Sequence, residues 1–191
     1  MIKEDPHRIN NRIYGVAEVR VVGTGFTVSR DALGTHVAVL HGRVEVRCGA
    51  GEPTFLGGGE TESCLPTSAA GLLGRARALQ AAGAGPAAVL VAVQEGLDRT
   101  TSEGAVRDEL RVMRIQLLAS LGRTGEALSD ARGYLDRPSA PRSVEVFRMA
   151  AQLALADGGC VAADPWLAAL RAHPAAEPAD AVLGAECAGP E

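Results

Sequence analysis

The period of the hydrophobic pattern changes once along this chain. Up to about residue 60, short runs rich in β-branched residues (18–22, 26–30, 35–40 and 43–48) alternate with glycine-containing punctuation at 23–25, 31–34 and 41–42. That alternation predicts antiparallel strands. From Ala69 onward apolar positions recur every three or four residues, as in Val106, Leu110, Met113, Leu117 and Leu121. Such spacing lays one stripe along a helix. The pattern therefore predicts an α+β chain, an N-terminal antiparallel β unit followed by an all-α array of helical hairpins.

The pattern also suggests a register, because residues i and i+2 share a face and paired strands bring apolar faces together. A four-residue loop at Asp31–Gly34 sets Val28 opposite Val37 and Phe26 opposite Val39. A two-residue turn at His41-Gly42 sets Val39 opposite Val44 and Val37 opposite Val46; the alternative is that Gly42 kinks one longer strand. Arg43, Glu45 and Arg47 then line a wetter face. The polar start enters its first strand near Ile13, and the β segment is expected to end near Leu56. A unit of about 60 residues buries only about 60% of its unfolded surface, so it wants a partner surface. Residues 61–68, after three glycines and up to Pro66, read as a linker, with Thr67 or Ser68 capping the first helix.

Comparing the helical part with itself reveals a repeat. Gly83, Gly122 and Gly158 each close a helix, 39 and 36 residues apart, and Leu-Asp-Arg recurs at 97–99 and 135–137. The hairpins fall at about 69–99, 103–138 and 143–174, with a partial cap at 176–189. In the middle one, Ala127, Leu128, Ala131 and Leu135 stripe the second helix, and the small alanines let two helices approach closely. Phe147, Ala150, Ala151, Ala154, Leu167 and Leu170 serve the third.

Two family resemblances rest on these residues. Over 19–60, VxVVGTxFxV, a turn, VxVLxGxVEV and a glycine-rich close resemble the second half of the FecR domain, through Val21, Val22, Gly23, Thr24, Phe26, Val28, Val37, Val39, Gly42, Val44 and Val46. The FecR resemblance implies a non-enzymatic relay of the bacterial envelope, passing a signal from an outer-membrane receptor to a sigma factor. The first half of that domain and the membrane helix that usually precedes it have no counterpart here. The segment LG-x-x-GEAL at 121–128, with Pro138 where a second helix would end, resembles the tetratricopeptide repeat, which implies a surface for binding proteins.

Composition narrows the function. Only 3% of residues are aromatic against 47% hydrophobic, so the cores rest on Ala, Leu and Val. Lys3 is the sole lysine, the formal charge is -4, and no basic stripe interrupts it, which argues against nucleic acid. The start lacks the apolar core of a signal peptide, and no run approaches the about 20 apolar residues of a membrane span, the best being 86–93. Cys48, Cys64, Cys160 and Cys187 form no CxxC pair, so they read as buried thiols; a Cys48 to Cys64 disulfide requires a periplasmic setting. HExxH, GxSxG and the phosphate loop are absent from the sequence, and Gly23-Thr24-Gly25 opens a strand where a dinucleotide site needs a helix.

His36, His41 and Glu45 are the one group with a metal-like makeup, but the hairpin register puts His41 in a turn and His36 opposite Arg47, so surface histidines fit better. Trp166 fits core packing. Arg107, Arg111 and Arg114 repeat at helical spacing, and with Arg148 of the next hairpin they are the candidate surface for clamping a partner's carboxylates. The chain is accordingly expected to be no enzyme, to need no cofactor or metal, and to combine an envelope sensor or relay with a protein-interaction domain, self-association through an open strand edge being allowed. The alternatives are a soluble helical scaffold with a remnant β unit and a cupin-like metal protein. Its place is the periplasm if an anchor lies upstream, and otherwise the cytoplasm.

Overall fold

The computed structural model describes residues 10–21, 24–31, 33–100, 104–137 and 140–187. Val22, Gly23 and Pro138 lie outside them. The chain divides into two units, Met1–Ala84 and Gly85–Glu191.

Seven strands build the first unit: β1 (Asn10–Tyr14), β2 (Ala17–Val21), β3 (Gly25–Arg30), β4 (Thr35–His41), β5 (Arg43–Cys48), β6 (Thr54–Gly57) and β7 (Thr61–Cys64). They pair antiparallel in two sheets, ordered β1-β2-β5-β6 and β3-β4-β7. Ala17, Val19, Val21, Val44, Val46 and Leu56 of the larger sheet share one core with Val37, Val39 and Cys64 of the smaller. Alternate residues of β2, β4 and β5 are buried, as strands with one wet face require.

The β3–β4 register is the expected one, Val28 opposite Val37 and Phe26 opposite Val39. The β4–β5 hairpin is not formed; the two strands belong to different sheets. Gly42, at φ +87°, turns the chain from one sheet into the other, so Val39 and Val44 meet across the core and not along a ladder. Thr24 sets this corner, its hydroxyl donating to the Arg43 carbonyl at 2.8 Å. A Cβ on Gly42 would stand 3.2 Å from the Thr24 Cα, so both the torsion and the space favour glycine.

The expected linker 61–68 instead begins with β7, which pairs with β4. Its one buried residue, Cys64, forms a disulfide with Cys48 of β5 and ties the two sheets together. Helix α1 (Ala69–Ala81) follows, capped by Ser68, whose hydroxyl accepts from the Gly71 N–H at 3.1 Å. Because α1 falls in the first unit and its expected partner in the second, the hairpin anticipated over 69–99 is divided by the boundary at 84/85.

The second unit holds α2 (Pro86–Asp98), α3 (Ala105–Ser120), α4 (Thr124–Leu135), α5 (Ser143–Ala172) and α6 (Pro178–Val182), then a 3-10 turn at Ala185–Cys187. Successive helices pack on one another. α3 therefore buries more than its predicted stripe: Val112, Ile115 and Leu118 are covered as well as Leu110, Met113 and Leu117. Gly122 closes α3 as expected, with its N–H on Ala119 O and that of Arg123 on Leu118 O, the paired bonds of a Schellman ending.

α5 is a hairpin in its own right. A straight helix of 30 residues would be about 45 Å long. Yet Ser143 Oγ lies 2.8 Å from His173 Nε2, and the Phe147 and His173 rings are 6.1 Å apart. The fold-back comes at Gly159, φ +67°, one residue beyond the expected Gly158. Contrary to the reading that no stretch is long and apolar enough, 143–172 has the length of a membrane-crossing segment and an 18-residue window of mean hydropathy 1.2. Its arms, 143–158 and 160–172, are each shorter than the about 20 residues such a crossing takes. Their alanines share a core with Ala127, Ala131, Tyr134, Trp166 and Leu167. Trp166 is buried, with the Arg132 guanidinium 5.3 Å from its ring centre.

The C-terminal segment is fastened to α5 at several points. Cys160 and Cys187 form a second disulfide, which the sequence did not suggest. Arg148 holds buried Asp180 through two bonds, of 2.5 and 2.9 Å, and Asp180 accepts from the Glu177 N–H at 2.8 Å. The Arg148 bonds, followed by the Glu177 N–H, pull the Asp180 carboxyl down to about 2.

Two outcomes follow. Replacing Cys48 and Cys64 together with alanine lowers stability by about 3 kcal/mol, the value for closing a loop of this length, measured by denaturant unfolding without reductant. Asp180 is charged in the folded state below the pH at which an unfolded aspartate, about 3.9, takes its proton. Its stabilisation is complete above that range and disappears as pH falls towards 2. An acid titration followed by Trp166 fluorescence should lose this limb in Asp180→Asn, which starts less stable at neutral pH; an unchanged curve contradicts the assignment.

Candidate functional site

Helices α2, α3 and α4 enclose a groove with two compartments. One, of about 330 Å³, is lined by Leu97, Arg107, Arg111, Arg114, Asp130 and Tyr134 among others. The arginines reach it because their i, i+4, i+7 spacing places them on one side of α3. The other, of about 690 Å³, has an apolar floor from Ala87, Leu90 and Val91 of α2 and Leu118 and Leu121 of α3, with Glu95 and Arg123 also in its lining. Gln94, Asp98 and Arg114 line both, so the compartments adjoin. Val91 is 67% exposed, on the side of α2 away from its buried residues Val89, Ala92, Val93, Gly96 and Leu97.

The polar groups of the groove are ordered. Arg114 Nε stands 3.0 Å from Asp130 Oδ2, and Arg107 Nη1 donates to the Thr100 carbonyl. Burial pushes the Asp130 carboxyl up, against the pull of Arg114. At the far end of the same helices, mostly buried Asp108 meets Arg137 at 2.6 Å, and that guanidinium lies over the Tyr134 ring. The Tyr134 hydroxyl accepts from the Arg142 N–H at 3.3 Å. Arg123 at the rim is held by Glu126 at 2.6 and 2.7 Å.

Three of the four arginines singled out in the sequence thus share one compartment. Arg148 does not join them, since Asp180 and Glu177 occupy it on the side of α6. Sequence reasoning missed the α2 wall. Pro86 at the start of a helix after Gly85, followed by Leu90 and Val91 side by side, was the available signal, because adjacent apolar residues widen a stripe beyond what one neighbour covers.

His36, His41 and Glu45 are not brought together as ligands. His36 stands opposite Ser29 and Ser63, not Arg47, and its Nδ1 is 2.9 Å from Ser63 Oγ. Its Nε2 is 3.5 Å from Asp31, whose carboxylate is held low first by the Leu33 N–H and then by the Gly34 N–H and His36. Glu45 lies in the other sheet, opposite Arg20. Among the described residues no group of three metal-ligating side chains occurs. The Ser63–His36–Asp31 line resembles a catalytic relay in residue types alone. Asp31 is taken up by its own turn, its Oδ1 accepting from the Leu33 and Gly34 N–H groups at 2.8 and 3.0 Å.

Comparison with known proteins returns no matching family model, no matching curated protein and no matching solved structure.

Proposed function

We propose that this chain is a non-enzymatic interaction protein of an oxidising compartment outside the cytoplasm, in which the helical unit holds a protein segment in the α2–α3–α4 groove. The observation that carries the reading is the groove itself: three arginines on one helix beside an apolar floor suit an extended segment that presents carboxylates next to aliphatic side chains. The tetratricopeptide-like sequence of 121–128 points the same way. Both disulfides support the compartment, since such bonds persist where thiols are not kept reduced.

For the β unit we propose a FecR-like relay role. Support comes from the FecR-like residues themselves, which take structural parts: Thr24 and Gly42 make the corner between the sheets, and Val37, Val39, Val44 and Val46 fill the core. An envelope component such as an outer-membrane receptor is the partner that this resemblance implies.

The groove reading is tested with two short peptides, one alternating leucine and glutamate and one alternating leucine and glutamine, by fluorescence anisotropy. The acidic peptide should bind about tenfold more tightly, an energy of about 1.4 kcal/mol. Arg111→Glu should erase that preference and Val91→Glu should weaken both peptides. Equal affinities, or none, would sink the idea. Asp130 competes with the peptide for Arg114, and burial already works against its charged form, so removing that charge should favour the acidic peptide. Asp130→Asn should bind more tightly at neutral pH.

A further inference from the structure

The outer face of the larger sheet carries a pattern that the core does not require. Across β2 and β5, Glu18 stands opposite Arg47 and Arg20 opposite Glu45. One step further, Glu45 stands opposite Phe55 of β6. Arg43 reaches diagonally over Phe55, its guanidinium 4.8 Å from the ring centre, which fixes the ring while the residue stays 54% exposed. Two dents mark this face: one of about 350 Å³ lined by Arg20, Arg43, Glu45 and Phe55, and one of about 190 Å³ lined by Glu18, Arg20, Glu45 and Arg47. They share Arg20 and Glu45, so they form one shallow track running across the strands. On β1, Ile13 stands opposite Glu18 and is 79% exposed, which puts an apolar side chain at each margin of the face.

We propose that this track binds a neutral oligosaccharide. Its charges alternate in sign from one position to the next, two carboxylates among three guanidiniums. A purely anionic or cationic ligand would meet a repelling group at every second contact. A sugar hydroxyl both donates and accepts, so it is matched by neighbouring acceptor and donor side chains with rigid, forked geometry. The exposed, clamped ring offers an apolar platform of the kind on which the C–H face of a pyranose packs. Strands lie about 4.8 Å apart, close to the length of one sugar residue, so a glycan laid across the sheet presents roughly one ring to each strand. This site lies in the first unit and is independent of the peptide groove.

The test is a titration of the isotope-labelled full chain with cellohexaose and chitohexaose, both neutral, followed by amide chemical shifts; a sulfated glycan and the leucine–glutamate peptide serve as charged probes. Shifts should cluster at 18–20, 43–47 and 55 with a neutral sugar. Phe55→Ala should weaken that binding about tenfold, and Glu45→Gln should weaken it too, with unchanged amide shifts elsewhere showing that both variants are folded. No response to either neutral sugar at millimolar concentration overturns the proposal. So does a response of this face to the charged probes alone, or Phe55→Ala binding like the original.

Discussion

Two small cores must be closed here with almost no aromatic bulk, and most of the architecture answers that constraint. The first core is largely valine; in the second, Ala127, Ala131, Ala150, Ala151, Ala154 and Ala163 line the helix contacts. Each alanine buries little apolar area, so its contribution is small beside the about 1.5–3 kcal/mol of a buried valine or leucine. What alanine allows is close approach of backbones, and closeness makes position critical. The chain fixes position by other means: a disulfide across the two sheets, another between α5 and the C-terminal turn, and an ion pair from Arg148 of α5 to buried Asp180 of α6. Small units with modest cores commonly need such staples.

What could be read from the sequence divides along the same line. Local periodicity gave β2 to β5, most helices and the β3–β4 register, because Val28, Val37, Phe26 and Val39 leave one consistent apolar face. The β4–β5 relation was not legible, since a hairpin turn and a corner between sheets both ask for a glycine at positive φ between valine-rich runs. β7 was hidden for a plainer reason: Thr-Glu-Ser-Cys buries a single residue, Cys64, too few to show an alternating pattern. Gly158 marked the fold-back of α5 to within one residue, because a chain reversal between helices favours a glycine at positive φ.

The candidate site was half legible for a related reason. Arg107, Arg111 and Arg114 sit on one helix, where spacing dictates a shared side. Arg148 belongs to another helix, and its partner Asp180 lies 32 residues away, a pairing that only packing creates. The apolar floor was missed because α2 carries its leucine and valine in a run that resembles core. The exposure of Val91 becomes visible only once α3 has taken its place beside it.

The backbone at Gly159 also has a meaning for how the chain is made. Before it folds, 143–172 contains an 18-residue window as apolar as a bilayer-crossing segment, although Glu145, Arg148, Asp157, Asp164, Pro165 and Arg171 interrupt the stretch as a whole. The pair of torsions at one residue then decides between a rod about 45 Å long and a self-packed hairpin of half that reach. The reach of those thirty residues is therefore set at one backbone position, where a side chain would resist the positive φ that the turn uses.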